Sequence, residues 1–492
     1  MAPATGGDGP WWRVHQVSDD TAQPDVLGAF EGEQWQVFIA DLLQTPVAAH
    51  PGWFSFGAAS DGGMDEREFV LSSLQGKQDI EESDPSAQVE RSKAAMLGAG
   101  RVPWSTNVVG IVRDPSSDCA LSISSRFSMR DGKPVPLWRD RFLAYLMDRV
   151  LRFSVLDLDF AQDPGRSWRQ LLVLMLPAHL RRAMAKGVYR QYVRRDRNDS
   201  APRGRIDVPR HLRENMPFMG TIAYATREYD TDNPVTELAR HTVEYVSQSP
   251  LGRAALRRDR QASGFVDQLR AATPRYAPGD RSRVVHENTA HPVTHAFYHE
   301  YRDLQRLCLA ILSGQGAAYT DHGRASLQGV LVDAAWLWEE YLDQLMAGHG
   351  IAHEHPRNKE NSGATWLFQG NVGKIFPDFL LRHGDRDVVA DAKYKPQHKV
   401  SGDDYQQVLA YMMRFDATTG LYLHPATGTQ VTTRDLVLDS GWTREEHYER
   451  KPPIRVCKLG LPVDAHGFDD QRAYEQAMRE REEELVRTIM AS

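Results

Sequence analysis

Two aspartates and a lysine lie in one short segment of the C-terminal third of the sequence. In residues 374–395, KIFPDFLLRHGDRDVVADAKYK, two strand-like runs flank a polar stretch, and Gly384 followed by Asp385 predicts a two-residue hairpin turn. That turn pairs Asp378 directly with Asp391, so that their Cβ atoms lie about 5 Å apart on one face. The strand period of two places Lys393 on the same face.

This arrangement predicts metal-dependent hydrolysis. Two facing carboxylates repel each other unless a cation lies between them, and ligation by oxygen alone favours Mg²⁺ or Mn²⁺ over zinc. A lysine beside the cation can orient a water molecule and stabilise negative charge on a phosphate. We therefore expect Asp378 and Asp391 to be metal ligands and Lys393 to be catalytic in phosphodiester hydrolysis. The alternative is an exposed hairpin whose charges fall there by chance.

The helix predicted before this hairpin carries a third acidic candidate. In DAAWLWEEYLDQLM, Glu339 lies beside Trp338 at the edge of the inward stripe, where its carboxylate can reach the metal. We expect Glu339 to be a third catalytic and metal-binding carboxylate, and Glu340 to face solvent. The alternative is that Glu339 is also a solvated residue of an amphipathic helix. The histidines of HGIAHEH, residues 349–355, are expected to form a solvated turn.

The helix predicted after the hairpin contributes two polar residues. In DDYQQVLAYMMRF, Gln407 and Tyr411 are four residues apart and share one helical face. We expect both to support the catalytic site or the substrate, and the alternative is a surface glutamine with a core tyrosine.

Composition limits the class of protein. The chain has 492 residues, too many for one hydrophobic core, and 41% apolar and 25% charged residues are ordinary for a globular protein. No apolar run approaches the roughly 20 residues that span a bilayer, and the first ten residues do not resemble a secretory signal. Three distant cysteines predict neither a disulfide framework nor a zinc site. A cytoplasmic protein with no membrane contact is expected.

The pattern of elements predicts a multidomain α/β (α+β) chain with three regions. Residues 1–165 form an N-terminal α/β region, with a hairpin between residues 107 and 129 and a helix over residues 139–153. Residues 166–325 form a mostly helical, basic region. Residues 326–492 form the domain of the carboxylate hairpin, in which a mixed central sheet is flanked by helices, the first over residues 330–345.

The middle region concentrates positive charge in a chain whose net charge is −7. If the predicted helix continues through them, the basic residues that recur every four positions from Arg182 to Arg194 form one stripe, which further arginines extend. Such a stripe could neutralise DNA phosphates, dock an acidic partner surface, or be a solvated helix face. The expected DNA-binding residues are Arg182, Lys186, Arg190, Arg194, Arg203 and Arg205.

Five segments together resemble the McrC family, the nuclease subunits of methylcytosine-directed restriction systems in the PD-(D/E)xK nuclease superfamily. FPDFLL with VVADAKYK resembles the catalytic strands, LWEEYL the preceding helix and DDYQQVLAYM the following helix. Upstream, KGVYRQYVRRDRNDSAPRGRIDVPRHL and YDTDNPVTELAR are similar to the family's R-G-R-I-D and acidic-Asn segments. The likeness covers residues 180–415, and residues 1–165 fall outside it.

The resemblance implies a restriction-endonuclease-like domain that cleaves DNA together with McrB, a GTP-hydrolysing AAA+ motor, in a higher-order hetero-oligomer for antiviral defence. The chain has no P-loop of its own, because Phe368 and Ile375 replace the glycine and the serine or threonine that the motif requires around Gly373 and Lys374. A stand-alone repair or recombination nuclease and a non-catalytic adaptor that activates the motor are the alternatives.

Overall fold

A computed structural model of the chain describes residues 13–18, 53–56, 107–114, 119–130, 133–135, 137–153, 158, 164–312, 328–356, 363–383, 386–400, 402–439 and 453–492. The chain divides into two compact units, one that combines Met1–Ser167 with Ala318–Ser492 and one of Trp168–Ala317. Among the described residues, no helix combines the length and the apolar character that crossing a membrane requires.

The described elements alternate along the chain. In chain order the strands are β1 (Arg13–Ser18), β2 (Trp53–Phe56), β3 (Val108–Asp114), β4 (Cys119–Ser124), β5 (Met129–Arg130), β6 (Lys133–Pro134), β7 (Gln191–Asp199), β8 (Arg205–Ile206), β9 (Ile222–Asp230), β10 (Gln328–Asp333), β11 (His353–Glu354), β12 (Thr365–Phe368), β13 (Val372–Ile375), β14 (Phe379–His383), β15 (Arg386–Ala392), β16 (Thr419–Ala426), β17 (Thr432–Val437) and β18 (Arg455–Pro462). The helices are α1 (Arg141–Leu151), α2 (Pro164–Met184), α3 (Val208–Glu214), α4 (Pro234–Val246), α5 (Pro250–Arg258), α6 (Arg260–Ala272), α7 (Arg281–Ala290), α8 (Glu300–Leu312), α9 (Ala334–Gly348), α10 (Gly402–Phe415) and α11 (Gln471–Ala491).

The first unit contains a five-stranded sheet in the order β1-β4-β3-β10-β2. Strands β3 and β4 form the predicted antiparallel hairpin, and β10 pairs antiparallel with β3 and parallel with β2. Because β10 follows residue 326 and β3 precedes residue 165, this sheet joins the first and third regions that the sequence pattern separates. The structure therefore groups those two regions into one unit.

The helix predicted over residues 330–345 begins later than expected. Val330, Leu331 and Val332 are buried in β10, where β-branched and apolar side chains suit an internal strand. Asp333 then caps α9, because its carboxylate accepts hydrogen bonds from the backbone amides of Ala335 at 2.9 Å and Trp336 at 3.2 Å. The predicted start at residue 330 is wrong because an apolar run this short fits a strand as well as a helix.

The core of the first unit is aromatic. Helix α1 packs against α9 and α11, and the rings of Phe142 and Trp338 are 6.4 Å apart. The carboxylate of Glu482 on α11 is buried, and it accepts hydrogen bonds from the hydroxyls of Tyr145 at 2.5 Å and Tyr341 at 2.6 Å. Helix α1, predicted near residues 139–153, thus holds α9 and α11 together.

A six-stranded mixed sheet in the order β11-β14-β15-β16-β18-β17 completes the first unit. Strand β16 pairs parallel with both β15 and β18, whereas β14 pairs antiparallel with β15 and β17 pairs antiparallel with β18. Helix α10 connects β15 to β16, and its Val408 and Met412 pack on Val389 of β15. Helices α9 and α10 both pack against β15. This is the mixed sheet with flanking helices that the sequence predicts.

The second unit combines α2 to α8 with a three-stranded sheet in the order β7-β9-β8. Its α-helical character is as predicted, but helix α2 ends at Met184 and β7 starts at Gln191. Over nine residues β7 pairs antiparallel with β9, and this ladder satisfies the backbone polar groups that a longer helix would otherwise pair. The condition for the basic helical stripe, one helix continuing through Arg194, is therefore not met.

Candidate active site

The hairpin of β14 and β15 has the predicted register. Phe379 pairs with Ala390 and Leu381 pairs with Val388, which is the pairing that a turn at residues 384 and 385 requires. The turn residues themselves lie outside the described residues. Asp378 directly precedes β14, and its Oδ2 accepts a hydrogen bond of 2.7 Å from the backbone amide of Ala392. The two strands therefore bring the carboxylates of Asp378 and Asp391 together.

Asp391 is a buried carboxylate whose oxygens lack hydrogen-bond partners. Its residue is 1% exposed, and neither Oδ1 nor Oδ2 accepts a hydrogen bond of acceptable geometry. Lys393 Nζ lies 2.7 Å from Oδ2 and forms an ion pair with it. Both faces of β15 are buried here, since Val388, Val389 and Ala390 are all buried as well. A buried charge with free lone pairs is the donor set that a hard cation fills.

The electrostatics of the pair point the same way. Burial raises the pKa of Asp378 well above its usual range, and the charges of Asp391 and Glu339 raise it further. Burial also raises the pKa of Asp391, against the opposing effect of the Lys393 ammonium. Burial alone would lower the pKa of Lys393, but nearby carboxylates, Asp391 first, outweigh it and raise that pKa. The lysine stays charged, and the carboxyl pair favours a proton or a cation between its members.

A chain of hydrogen bonds leads from Lys393 across α10. Lys393 Nζ donates to Gln407 Oε1 at 3.0 Å, and Gln407 Nε2 donates to the Tyr411 hydroxyl at 2.7 Å. The Tyr411 hydroxyl in turn donates to the carbonyl of Phe376 at 3.2 Å. Gln407 and Tyr411 thus meet the hairpin as the four-residue spacing predicts. We call these contacts the Lys393–Phe376 relay.

Two carboxylates fit a divalent cation, and a third lies close. Glu339 is half-buried on α9, and its charge acts on Asp378. Within the described residues, no three acidic, histidine or cysteine side chains already converge as a metal site. The group that fits the cation is therefore the pair of Asp378 and Asp391, in which both oxygens of Asp391 accept no hydrogen bond, and Glu339 stays a predicted third ligand.

Comparison with known proteins agrees with the motif. A family model described as "McrBC 5-methylcytosine restriction system component" matches residues 105–425, well over half of the chain. The chain belongs to this McrBC family. The match includes the hairpin, α9, α10 and the two upstream segments, residues 186–212 and 229–240, from which the likeness to McrC was inferred. It also includes residues 105–165, so placing all of residues 1–165 outside the likeness is wrong. No match is found among curated protein sequences.

Two solved assemblies are similar to this McrBC-family chain. One is a refined half-complex from a tetradecameric assembly of Thermococcus gammatolerans McrB AAA+ hexamers with bound McrC, at 13% identity and a TM-score of 0.43, covering 95% of this chain and 100% of that chain. The other is a cryo-EM structure of the Thermococcus gammatolerans McrBC complex, at 14% identity and a TM-score of 0.29, covering 70% of this chain and 90% of that chain.

Sequence reasoning missed a histidine behind Asp378. His355 Nδ1 is 2.7 Å from the carbonyl oxygen of Asp378, and its ring stacks on Phe379 with centroids 4.8 Å apart. Its Nε2 lies 3.5 Å from Glu340 Oε1, and both side chains are mostly buried. The expectations that Glu340 faces solvent and that residues 349–355 form a solvated turn are therefore wrong. The partners come from α9 and β14, and no local pattern connects them.

A second missed residue, Asp404, holds two lysines. Its Oδ2 lies 2.6 Å from Lys395 Nζ, and its Oδ1 lies 3.7 Å from Lys393 Nζ. The backbone carbonyl of Asp404 also accepts a hydrogen bond from the Tyr422 hydroxyl. A signal was present, because Asp404 precedes Gln407 by three residues and so shares its helical face.

The predicted basic residues occupy separate elements of the second unit. Arg182 lies on α2, Lys186 and Arg190 lie between α2 and β7, and Arg194, Arg203 and Arg205 lie on or between β7 and β8; all are exposed. The regular helical stripe is therefore wrong, although a basic surface remains.

Neighbouring carboxylates neutralise part of this surface. Lys186 Nζ lies 2.7 Å from Glu300, and the guanidinium of Arg194 lies 3.4 Å from Asp196 and 3.7 Å from Asp207. Asp207, which accepts one of these contacts, lies in the R-G-R-I-D segment.

Proposed function

We propose that this chain is the Mg²⁺- or Mn²⁺-dependent DNA endonuclease subunit of a McrBC-like restriction complex that acts against phage. The observation that carries the proposal is the buried carboxylate of Asp391, whose oxygens accept no hydrogen bond, beside the carboxylate of Asp378 and the ammonium of Lys393 on one hairpin. Membership of the McrBC family supports the same reaction class and a multi-component system. The family includes more than one kind of subunit, so the assignment of DNA cleavage to this chain rests on the candidate active site.

Each residue of the candidate active site has a distinct role in the proposed hydrolysis. Asp378 and Asp391 would hold the cation, with Glu339 as a third ligand. A bound divalent cation supplies a Lewis acid for a phosphate oxygen and lowers the pKa of a water molecule. Lys393 keeps its charge and neutralises the negative charge that develops on the phosphate. Gln407 fixes the lysine amine by accepting its hydrogen bond, and Tyr411 fixes the amide of Gln407.

DNA and an AAA+ motor are the proposed partners. The exposed arginines and lysine between residues 182 and 205 supply a surface for DNA phosphates or for the motor, with affinity that falls as salt rises. The chain carries no P-loop, so a nucleotide-driven step requires a second protein. In the Thermococcus gammatolerans assembly McrC is bound to McrB AAA+ hexamers, and we propose an equivalent partner here.

Cleavage of methylated duplex DNA by the purified chain, its motor, nucleotide and Mg²⁺ tests the proposal. Replacing Asp391→Asn or Lys393→Ala should lower the cleavage rate by about 100-fold or more, since each removes a group that acts on the transition state. Asp387→Asn is the matched control, because Asp387 is exposed on the same strand. This variant should cleave DNA at the wild-type rate. Wild-type rates in both site variants would refute the assignment.

The same assay separates the alternatives. Robust cutting without the motor would identify a stand-alone nuclease. Stimulation of the motor that survives both site substitutions, with no cutting under any metal, would identify an adaptor.

A further inference from the structure

The hairpin of β12 and β13 carries an apolar outer face. Phe368 pairs with Val372 and Trp366 pairs with Lys374, so these four side chains share one face of the hairpin. Phe368 is 62% exposed and Val372 is 58% exposed. The opposite face carries Ile375, which packs against the hydrophobic core around Val389. A solvent-facing strand normally presents polar side chains, so apolar residues there indicate a contact surface.

The hairpin is built to hold its shape. The loop between β12 and β13 has three residues, and both Gly370 and Asn371 have positive φ, at 79° and 61°. Arg414 Nε on α10 donates a hydrogen bond of 2.6 Å to the carbonyl of Trp366. The cross-strand pair of Phe368 and Val372 is therefore presented at the tip of an anchored ribbon.

The hairpin is also joined directly to the candidate active site. Strand β13 ends at Ile375, three residues before Asp378, and the intervening carbonyl of Phe376 is the last acceptor of the Lys393–Phe376 relay. The outer face therefore belongs to the same chain segment that leads into Asp378, and this segment carries the backbone carbonyl to which Tyr411 donates.

The positive charge around the outer face of the hairpin favours a negatively charged binding partner. Residues 364–377 contain no acidic residue and one lysine, in a chain whose net charge is −7. Lys374 is exposed next to the apolar pair, and Arg414 is exposed on the anchoring helix. Apolar side chains flanked by cations are how proteins contact the DNA minor groove, where rings and aliphatic groups meet sugars and base edges while lysine and arginine meet phosphates.

We propose that the outer face of the β12–β13 hairpin binds the minor groove of duplex DNA and holds the duplex against the carboxylate pair. This inference rests on the proposed nuclease function and names the residues, Phe368, Val372 and Lys374, that engage its substrate.

Equilibrium binding of a labelled DNA duplex to the full-length chain tests this, with Ca²⁺ in place of Mg²⁺ to suppress cleavage. A double variant, Phe368→Ala with Val372→Ala, should raise Kd roughly tenfold with an unchanged dependence on salt, because it removes apolar contact only. Lys374→Gln should lower the slope of log K against log salt concentration by about one, because it removes one phosphate contact. The control is Val437→Ala, equally exposed at 62% on β17, which should leave Kd unchanged.

The outcomes separate this inference from the function on which it rests. Wild-type Kd in the double variant, with folding verified by its melting curve, overturns the hairpin assignment even if the wild-type chain cleaves DNA. If the variants instead lose association with the motor or with a second copy while Kd stays the same, the face is a protein interface and the inference fails. A DNA affinity that depends on the hairpin, in a chain that never cleaves, supports the inference and overturns the nuclease.

Discussion

The side chain of Asp391 is the residue on which the chemistry depends. Leaving a buried carboxylate without hydrogen bonds costs several kcal/mol, and one ion pair with Lys393 recovers only part of that. Such a buried carboxylate is stabilised when a bound ligand, here a cation, interacts with its oxygens. The partners of Lys393 hold its side chain in place, because Gln407 and Asp404 orient an amine that burial would otherwise neutralise.

The relay behind Lys393 gives a test at this scale. Tyr411→Phe removes one hydroxyl that bonds both Gln407 and the Phe376 carbonyl. We expect the single-turnover cleavage rate to fall by about tenfold while the Kd for DNA changes little. The substitution makes the position of the Lys393 amine less fixed, and it leaves the DNA-binding surface unchanged.

Tyr405→Phe is the control for that measurement. Tyr405 lies on the same helix, and its hydroxyl accepts a hydrogen bond from Lys458 outside the relay. Equal losses of rate in the two variants would contradict a specific role for Tyr411.

At the scale of elements, the sequence pattern predicted those features that depend on residues close together in the chain. The register of β14 and β15 followed from one short turn, and the positions of Asp391 and Lys393 followed from that register. The helical stripe through Arg190 and Arg194 failed because β7 pairs with β9, some 30 residues away in sequence. His355 escaped notice for the same reason, since the residues it contacts come from distant segments.

The ribbon of β7, β8 and β9 depends on a glycine. A Cβ atom on Gly204 would lie 2.2 Å from the carbonyl oxygen of Ala225 on β9, so Gly204→Ala must push β8 away. We expect this substitution to destabilise the second unit by about 1–3 kcal/mol in chemical denaturation.

A second glycine provides the opposite expectation. Gly264 lies within α6, and a Cβ there meets no atom within 4 Å. Gly264→Ala should therefore stabilise the same unit by about 0.5–1 kcal/mol, because alanine loses less backbone entropy in a helix. Equal effects of the two substitutions would show that the approach of β8 to β9 is not the constraint.

At the scale of the whole molecule, the chain consists of two units of different construction. The candidate site belongs to a unit assembled from both ends of the described sequence, because β10 pairs with β3 and α1 packs between α9 and α11. Part of the N-terminal region of residues 1–165, namely β3, β4 and α1, completes the sheet and the core of the unit that contains the candidate site.

This construction predicts how fragments behave. Residues 326–492 alone lack β3 and the buried face of α1, including Phe142 and Tyr145, and should show no cooperative thermal transition by circular dichroism. Residues 168–317 alone should unfold cooperatively. A cooperative melt of the C-terminal fragment would contradict the shared core.

The second unit should also lose stability in acid through His179. Burial lowers the pKa of this imidazole to about 4, from an ordinary value of 6.5, so the folded state excludes a proton that the unfolded state binds. This contribution to stability is complete above pH 6.5 and is lost as the pH falls toward 4, by about 2 kcal/mol between pH 7 and pH 5. His179→Gln should remove that increment of acid sensitivity in urea unfolding, and an unchanged pH dependence would contradict it.

Whether Asp378 and Asp391 hold a divalent cation can be measured as binding of Mn²⁺ to the full-length chain, by calorimetry or electron paramagnetic resonance. We expect one Mn²⁺ site in the wild-type protein that is lost in Asp378→Asn and in Asp391→Asn and kept in Asp387→Asn. Equal Mn²⁺ affinity in all four proteins would show that the facing carboxylates do not hold the cation, and the proposed hydrolysis would then lack its metal.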